Sequence, residues 1–349
     1  MKNFSQEIQI GKKCISADDP TYIIAEIGSN HDQSLTKAIE MIDAAADCGA
    51  DAAKFQSLNF DALYHQDRTG DDIKDLFNLI ELSEQWYASL AAHCAKRNID
   101  FLSAPTYLEA VKLLADVGSP AFKIASPQFD LYPEITLAAK EYQLPLIMSV
   151  GLSDIGDIDR MMNLCINESI RDVVLLHCVS QYPTPAGNAN LSFITTLRNT
   201  YNCLVGYSDH TLGIHFPVSA VALGASVIEK HFTLDKNGSG PDHHFASEPA
   251  EFKAMVEQIH DIKVGLGDGR KAPLTEWETG HRQRIAMKFV AKHEIAVGKP
   301  VMATDFILKR GEGGIAREHL ALIEKFSVKT ELAKNDMLEW HHLTDGLVD

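Results

Sequence analysis

Eight short apolar runs, each followed by a stretch with helical spacing, recur through the first 265 residues and constrain the fold more than any other feature of this chain. The runs are Tyr22-Ile23-Ile24-Ala25-Glu26-Ile27, Ala52-Ala53-Lys54-Phe55-Gln56, Asp100-Phe101-Leu102-Ser103, Ala121-Phe122-Lys123-Ile124, Pro145-Leu146-Ile147-Met148-Ser149, Asp172-Val173-Val174-Leu175-Leu176-His177, Tyr201-Asn202-Cys203-Leu204-Val205-Gly206 and Ala225-Ser226-Val227-Ile228. Between them, segments such as Thr36 to Cys48 and Glu84 to Arg97 repeat apolar residues at spacings of three and four. Strand-then-helix repeated eight times in roughly 250 residues is the pattern of a parallel (β/α)8 TIM barrel, an α/β fold. An open doubly wound sheet is the competing topology. No glycine-rich phosphate fingerprint follows the first strand, which disfavours it.

The pattern breaks near residue 265. Gly265-Leu266-Gly267-Asp268-Gly269 is turn-rich and Thr275 to Arg284 is strongly polar, so 266–285 reads as a linker. From residue 286 to 349, short strands (Phe289-Val290-Ala291, Pro300-Val301-Met302) interrupted by Gly298 and Gly311-Glu312-Gly313-Gly314 predict a small β-rich domain. A chain of 349 residues with 45% hydrophobic residues can fill both cores, the larger spanning 1–265.

Charge narrows the partners. A formal net charge of −16 argues against nucleic acid or an anionic membrane surface, so an anionic substrate needs a local cluster of cations. Cys14, Cys48, Cys94, Cys165, Cys178 and Cys203 show no paired spacing, as expected of reduced thiols. The polar start Met1-Lys2-Asn3-Phe4-Ser5-Gln6-Glu7 has no apolar run behind it, and no stretch nears the ~20 apolar residues of a membrane span. A cytoplasmic protein is expected.

In such a barrel the C-terminal strand ends converge on one mouth, and here those ends are polar. In chain order they offer Glu26, Lys54 with Gln56, Ser103, Lys123 with Ser126, Ser149, Tyr182, Ser208 with His210, and His231. Lys54 and Lys123 sit inside apolar runs, where an unpaired charge costs several kcal/mol. Each could be half of a structural ion pair, but two at equivalent strand ends point to an anion site. Ser126, Ser149 and Ser208 add hydroxyl donors, and Glu26 is a candidate acid/base. His210 and His231 close consecutive strands, so their imidazoles face one opening and can hold a divalent metal; either one alone could equally satisfy backbone groups.

The ordered set Ala25-Glu26-Ile27-Gly28-Ser29-Asn30-His31, Lys54-Phe55-Gln56, Lys123-Ile124-Ala125-Ser126, His177-Cys178 with Tyr182-Pro183-Thr184-Pro185, Ser208-Asp209-His210, Glu229-Lys230-His231-Phe232 and Gly240-Pro241-Asp242-His243 resembles the sialic acid synthase family. That family comprises the N-acetylneuraminate, legionaminate and pseudaminate synthases. The tail, with Lys309-Arg310-Gly311, is similar to its C-terminal antifreeze-like (SAF) domain. The resemblance implies condensation of phosphoenolpyruvate with an N-acyl hexosamine such as N-acetylmannosamine, with phosphate released by C–O cleavage. It implies a divalent ion, usually Mn2+ with Co2+, Mg2+ or Zn2+ as alternatives, on His210 and His231, and proton handling by Glu26. It assigns Lys54, Lys123, Ser126, Ser149 and Ser208 to phosphoenolpyruvate, and Gln56, Tyr182 and Asp242 to substrate. It also implies a homodimer in which the SAF domain caps the partner's barrel and presents Arg310.

Departures from the family pattern fall near the expected substrates. Ser103-Ala104-Pro105 and Ser149-Val150-Gly151 each lack a threonine hydroxyl expected near the phosphate, Ser126-Pro127-Gln128 lacks a carboxylate, and Ser180 stands in place of an asparagine. Arg310-Gly311-Glu312 has lost a proline. An altered acceptor pocket is therefore expected, with another aldehyde or sugar, or a non-catalytic role, as the alternatives. His243 and His244 are expected to face solvent or substrate, His341-His342 to lie on the surface, and Trp86, Trp277 and Trp340 to serve packing.

Overall fold

The computed structural model describes residues 4–344, and the chain divides into two compact units at Asp268/Gly269. In the first unit, a hairpin of β1 (Glu7–Ile10) and β2 (Lys13–Ser16) precedes eight strands: β3 (Tyr22–Gly28), β4 (Ala52–Ser57), β5 (Asp100–Pro105), β6 (Phe122–Ile124), β7 (Leu146–Ser149), β8 (Val173–Cys178), β9 (Leu204–Asp209) and β10 (Val227–His231). Every adjacent pair in the sheet is parallel, in the order β5-β4-β3-β10-β9-β8-β7-β6. The two ends of that order, β5 and β6, pack against each other and close the (β/α)8 barrel. β9 begins later than the apolar run at 201–206, because Tyr201 ends the helix Ser192–Tyr201 and Asn202 turns the chain in the left-handed conformation.

Alternation along the strands decides what fills the barrel. Inward residues near the strand starts are apolar: Tyr22, Ile24, Ala52, Leu102, Ile147 and Val174 share one cluster with Ile8, Ile10 and Ile15 of the hairpin. The hairpin thus plugs the N-terminal end of the barrel, a role that the polar first residues did not advertise. Each fully buried isoleucine contributes about 1.5–3 kcal/mol. Outward residues such as Ile23, Phe55, Phe101 and Ile228 form the larger core against the helices. Toward the C-terminal ends the inward residues turn polar, and that switch builds the mouth.

Between β4 and β5 the chain adds a segment outside the eight repeats, including the helix Asp71–Ile80, whose Ile73, Leu76, Phe77 and Ile80 follow helical spacing. Its Phe77 packs on Phe60 and Tyr64.

In the second unit, β11 (Lys288–Ala291) pairs antiparallel with β12 (Phe306–Lys309) over a core that includes Phe289, Val301, Ile315, Ile323 and Leu338. The segment expected as a linker is in part helical. The helix Pro249–Leu266 runs to its start, and Glu276–Ile285 is a helix opened by a Thr275–Glu278 capping box. Its polarity is that of a solvated helix. Pro300-Val301-Met302 is not a strand; Pro300 makes one isolated bridge to Ser327. No described helix is long and apolar enough to cross a membrane, and all six cysteines are free.

Candidate active site

Parallel pairing sets residues side by side on the same face of the sheet. Glu26 is the register partner of His231 on one side and Lys54 on the other, and Glu229 is the partner of Ser208. These side chains line a cavity of about 270 Å³ at the barrel mouth, together with Gln56, Lys123, Ser126, Ser149, Tyr182, His210 and Asp242. Eleven of the thirteen residues singled out in the sequence therefore meet in one place. The exceptions are Ser103, which faces away from the cavity, and Arg310, which belongs to the second unit and is exposed there.

At the floor lies a four-membered charge cluster. Lys54 Nζ is 2.7 Å from Glu26 Oε2 and 3.7 Å from Glu229 Oε2, while Lys123 Nζ is 3.6 Å from Glu229 Oε1 and donates to Ser149 Oγ at 2.8 Å. Ser208 Oγ donates to Glu229 Oε1 at 2.9 Å, and Gln56 Nε2 donates to Glu26 Oε1 at 2.8 Å. All four charged residues are buried. Burial pushes the Glu26 carboxyl up to about 7, against the pull of Lys54 and with the help of Glu229. Burial also works against the Lys54 charge, but Glu229 and Glu26 outweigh it and raise its pKa. Lys123 is lowered by burial, which Glu229 only partly offsets. Glu229 itself is lowered, because Lys123 and Lys54 overcome the cost of its burial. Two lysines over shared carboxylates make a floor that can accept a small polyanion by trading internal pairs for external ones.

Beside this floor stand the two histidines, ring centroids 5.3 Å apart. The Val179 carbonyl is 2.8 Å from His210 Nδ1, which fixes the proton there and leaves Nε2 as the free donor atom. His231 Nδ1 is buried without a hydrogen-bond partner, and Asp242 Oδ2 lies 3.8 Å away. Burial, reinforced by the charge of His210, drives His231 well below the ordinary histidine value, so it is a neutral imidazole. Burial works against a charge on His210, but Cys178 and the Val179 carbonyl raise its pKa. Its Nε2 therefore offers a lone pair once a divalent ion displaces that proton, and beside the neutral His231 with its orphaned nitrogen it fits such an ion. Among the described residues no three His, Cys, Asp or Glu side chains form a closed metal cage. Two protein ligands with the remaining positions open suit catalysis better than a structural role.

Several expectations shift here. Ser103 faces outward and bonds Ser57, because alternation in β5 turns Leu102 and Ala104 inward instead. Val150 is buried in the outer core rather than lining the cavity, so only the hydroxyl missing at Ala104 touches the mouth. Ser180 is not a lining residue; it packs close to Gly151. Gln128 does line the wall, with Oε1 buried and unpartnered. His243 is fully buried rather than facing solvent or substrate, whereas His244 is exposed. Two residues were passed over in the sequence. Glu229 lies two positions before His231, so period-2 alternation alone could have placed it inward. Lys230 points the other way and donates to Asp209 Oδ2 at 2.6 Å and to the Thr211 carbonyl at 2.8 Å, bracing the turn that carries His210.

The profile of the NeuB family matches residues 41–271. An uncharacterized protein of Methanocaldococcus jannaschii is 40% identical over 338 residues, covering 97% of this chain and 99% of its own length. An N,N'-diacetyllegionaminic acid synthase of Campylobacter jejuni is 40% identical over 310 residues, covering 85% of this chain and 92% of that protein. The crystal structure of an N-acetylneuraminic acid (sialic acid) synthetase from Leptospira borgpetersenii, in complex with citrate, matches with a TM-score of 0.73 at 35% identity. The match covers 80% of this chain and 97% of that one.

Proposed function

The chain belongs to the NeuB family, and on that premise we propose that it condenses phosphoenolpyruvate with an N-acyl hexosamine, giving a nine-carbon 2-keto acid and inorganic phosphate. The family makes it a nonulosonic acid synthase; the substrates and metal are this reading's own. The observation that carries it is the floor of the mouth, where Lys54 and Lys123 share Glu229 beside two imidazoles.

Phosphoenolpyruvate binds on that floor, its charge met by Lys54 and Lys123 and its oxygens by the hydroxyls of Ser126, Ser149 and Ser208. C3 of the enol attacks the aldehyde carbon of the open-chain sugar, and the carbonyl oxygen takes up a proton to become a hydroxyl. Water adds at C2 and gives up a proton; the tetrahedral carbon then expels phosphate, leaving the keto group. Glu26, poised near neutrality by burial, is the group able both to give and to receive protons within this cavity. Gln56 holds its other oxygen. His210 and His231 would hold a divalent ion, Mn2+ or one of Co2+, Mg2+ and Zn2+, which when bound would supply Lewis acidity toward the aldehyde oxygen. Tyr182, its ring 4.2 Å from that of His210, and Asp242 face the sugar.

Residues 286–349 are read as a SAF domain in a homodimer, with the partner subunit's Arg310 reaching the acyl group. Arg310→Ala and Glu26→Gln proteins, each inactive alone, should regain activity when co-assembled; absence of recovery would remove the shared site. The enzyme itself is tested by phosphate release from phosphoenolpyruvate with Mn2+ and a panel of N-acyl hexosamines. Release that needs all three components and disappears in His210→Ala supports the reading; release unaffected by that change ends it. The unpartnered Gln128 amide favours a second reading, in which the same chemistry acts on another aldehyde.

A further inference from the structure

The loop between β10 and the helix Pro249–Leu266 buries a histidine that the chemistry above does not use. His243 has no exposed surface. Its Nδ1 lies 2.6 Å from Thr233 Oγ1, at the start of its own loop, and its Nε2 lies 3.0 Å from Asp32 Oδ1, in the loop that follows β3. A carboxylate only accepts, so Nε2 carries hydrogen and donates to Asp32. Lys37 also reaches Asp32, and the Thr233 hydroxyl lies 3.0 Å from the Asp235 carbonyl. One imidazole thus ties together the loops of two neighbouring barrel strands.

The rest of the loop is moulded around that ring. A Cβ at Gly238 would come within 2.6 Å of the imidazole, which its two hydrogen bonds hold in place, and one at Gly240 would crowd it at 3.0 Å. Immediately before His243 comes Asp242, which lines the cavity with Oδ2 3.8 Å from His231 Nδ1. Among the described residues, the hydrogen bond that reaches this carboxylate is a long one from Ser29, at 3.3 Å. Such a contact does little to fix a side chain at the edge of a polar opening. The firm anchor is the neighbouring residue.

We propose that His243 is a positioning residue: by clamping the loop after β10 to the loop after β3, it holds Asp242 over the mouth to receive hydroxyl or amide hydrogens of the acceptor. The identity of that ligand as a polyhydroxylated acceptor rests on the function proposed above; the clamp itself rests on geometry alone.

The first measurement is amide hydrogen exchange on ligand-free His243→Ala. Residues 235–246 should exchange about tenfold faster or more while the barrel strands stay within about twofold. Asp32→Asn and Thr233→Val each remove one arm of the clamp, and should show the same localised loosening if His243→Ala fails to fold. Unchanged exchange in the loop of the folded variants overturns the proposal. The second measurement is steady-state kinetics with whichever panel sugar the wild type uses. The acceptor KM of His243→Ala should rise about tenfold with the phosphoenolpyruvate KM nearly unchanged, and Asp242→Ala/His243→Ala should be no worse than Asp242→Ala. Additive losses, or equal losses for both substrates, would mean that His243 does not act through Asp242. If the wild type turns over no sugar in the panel, the proposed function falls and the exchange data still decide the clamp.

Discussion

Lys54 Nζ lies 2.7 Å from Glu26 Oε2, and the two residues are direct partners across β3 and β4. The pair is buried and coupled to Glu229, so it is one half of a neutral four-charge cluster rather than an isolated salt bridge.

Removing one cation from that cluster leaves two carboxylates to share Lys123. Lys54→Met should destabilise the barrel by about 3 kcal/mol at pH 8 and by less near pH 5, where Glu26 takes up a proton. Turnover should fall by about a thousandfold. Urea unfolding at the two pH values checks the first expectation, and equal losses at both would refute the coupling.

Glu26 has its own pH signature. Its folded-state pKa of about 7 lies above the ordinary value of 4.5, so between those values the folded chain binds more protons at this site than the unfolded chain. The stabilising contribution is therefore complete at acidic pH and declines as pH rises toward 7. Glu26→Gln cannot ionise and escapes that decline: its Tm relative to wild type should increase from about pH 5 to pH 8. In the wild type the same group should give a limb near neutrality in the profile of kcat/KM. A Tm difference independent of pH would exclude the shift.

His231 offers an orphaned buried nitrogen beside His210. His231→Ala should weaken binding of Mn2+ alone, followed by calorimetric titration, by about a hundredfold or more. Phosphoenolpyruvate binding should change by less than about threefold, because the lysines and hydroxyls stay in place. Retention of full Mn2+ affinity would move the metal elsewhere.

Gln128 lines the cavity and its buried amide oxygen has no hydrogen-bond partner, so a turn of its side chain would let it receive a hydrogen from the acceptor. Gln128→Glu places a charge at that point and should change the ratio of kcat/KM between two N-acyl hexosamines by about tenfold, with the phosphoenolpyruvate KM nearly constant. Competition between paired sugars measures that ratio directly. An unaltered ratio would remove Gln128 from acceptor selection.

The barrel and most of its mouth were legible in the chain because both follow from local pattern. Strand starts are apolar and strand ends polar, and lysines such as Lys54 and Lys123 are conspicuous inside apolar runs. Glu229 was legible in principle by alternation, since His231 two positions on was already placed at the mouth. The helix Glu276–Ile285 was not visible, since its residues carry no strong period and it opens on a capping box. The hairpin plug and the helix Asp71–Ile80 do carry their periods, Ile8 and Ile10 alternating and Ile73, Leu76, Phe77 and Ile80 at helical spacing, but fall outside the eight strand–helix repeats.

The sequence by itself determined the eightfold strand–helix order, the pairing of His210 with His231 on consecutive strands, and the cations at the strand ends, because periodicity and polarity act over a few residues. Only the tertiary structure decided that Ser103 and Val150 face away from the cavity, that Glu229 bridges both lysines, and that His243 is buried between two loops rather than facing solvent or substrate. Those outcomes depend on register between strands and on burial by loops distant in the chain, where the cost of an unpaired polar group is set by neighbours that no local window contains.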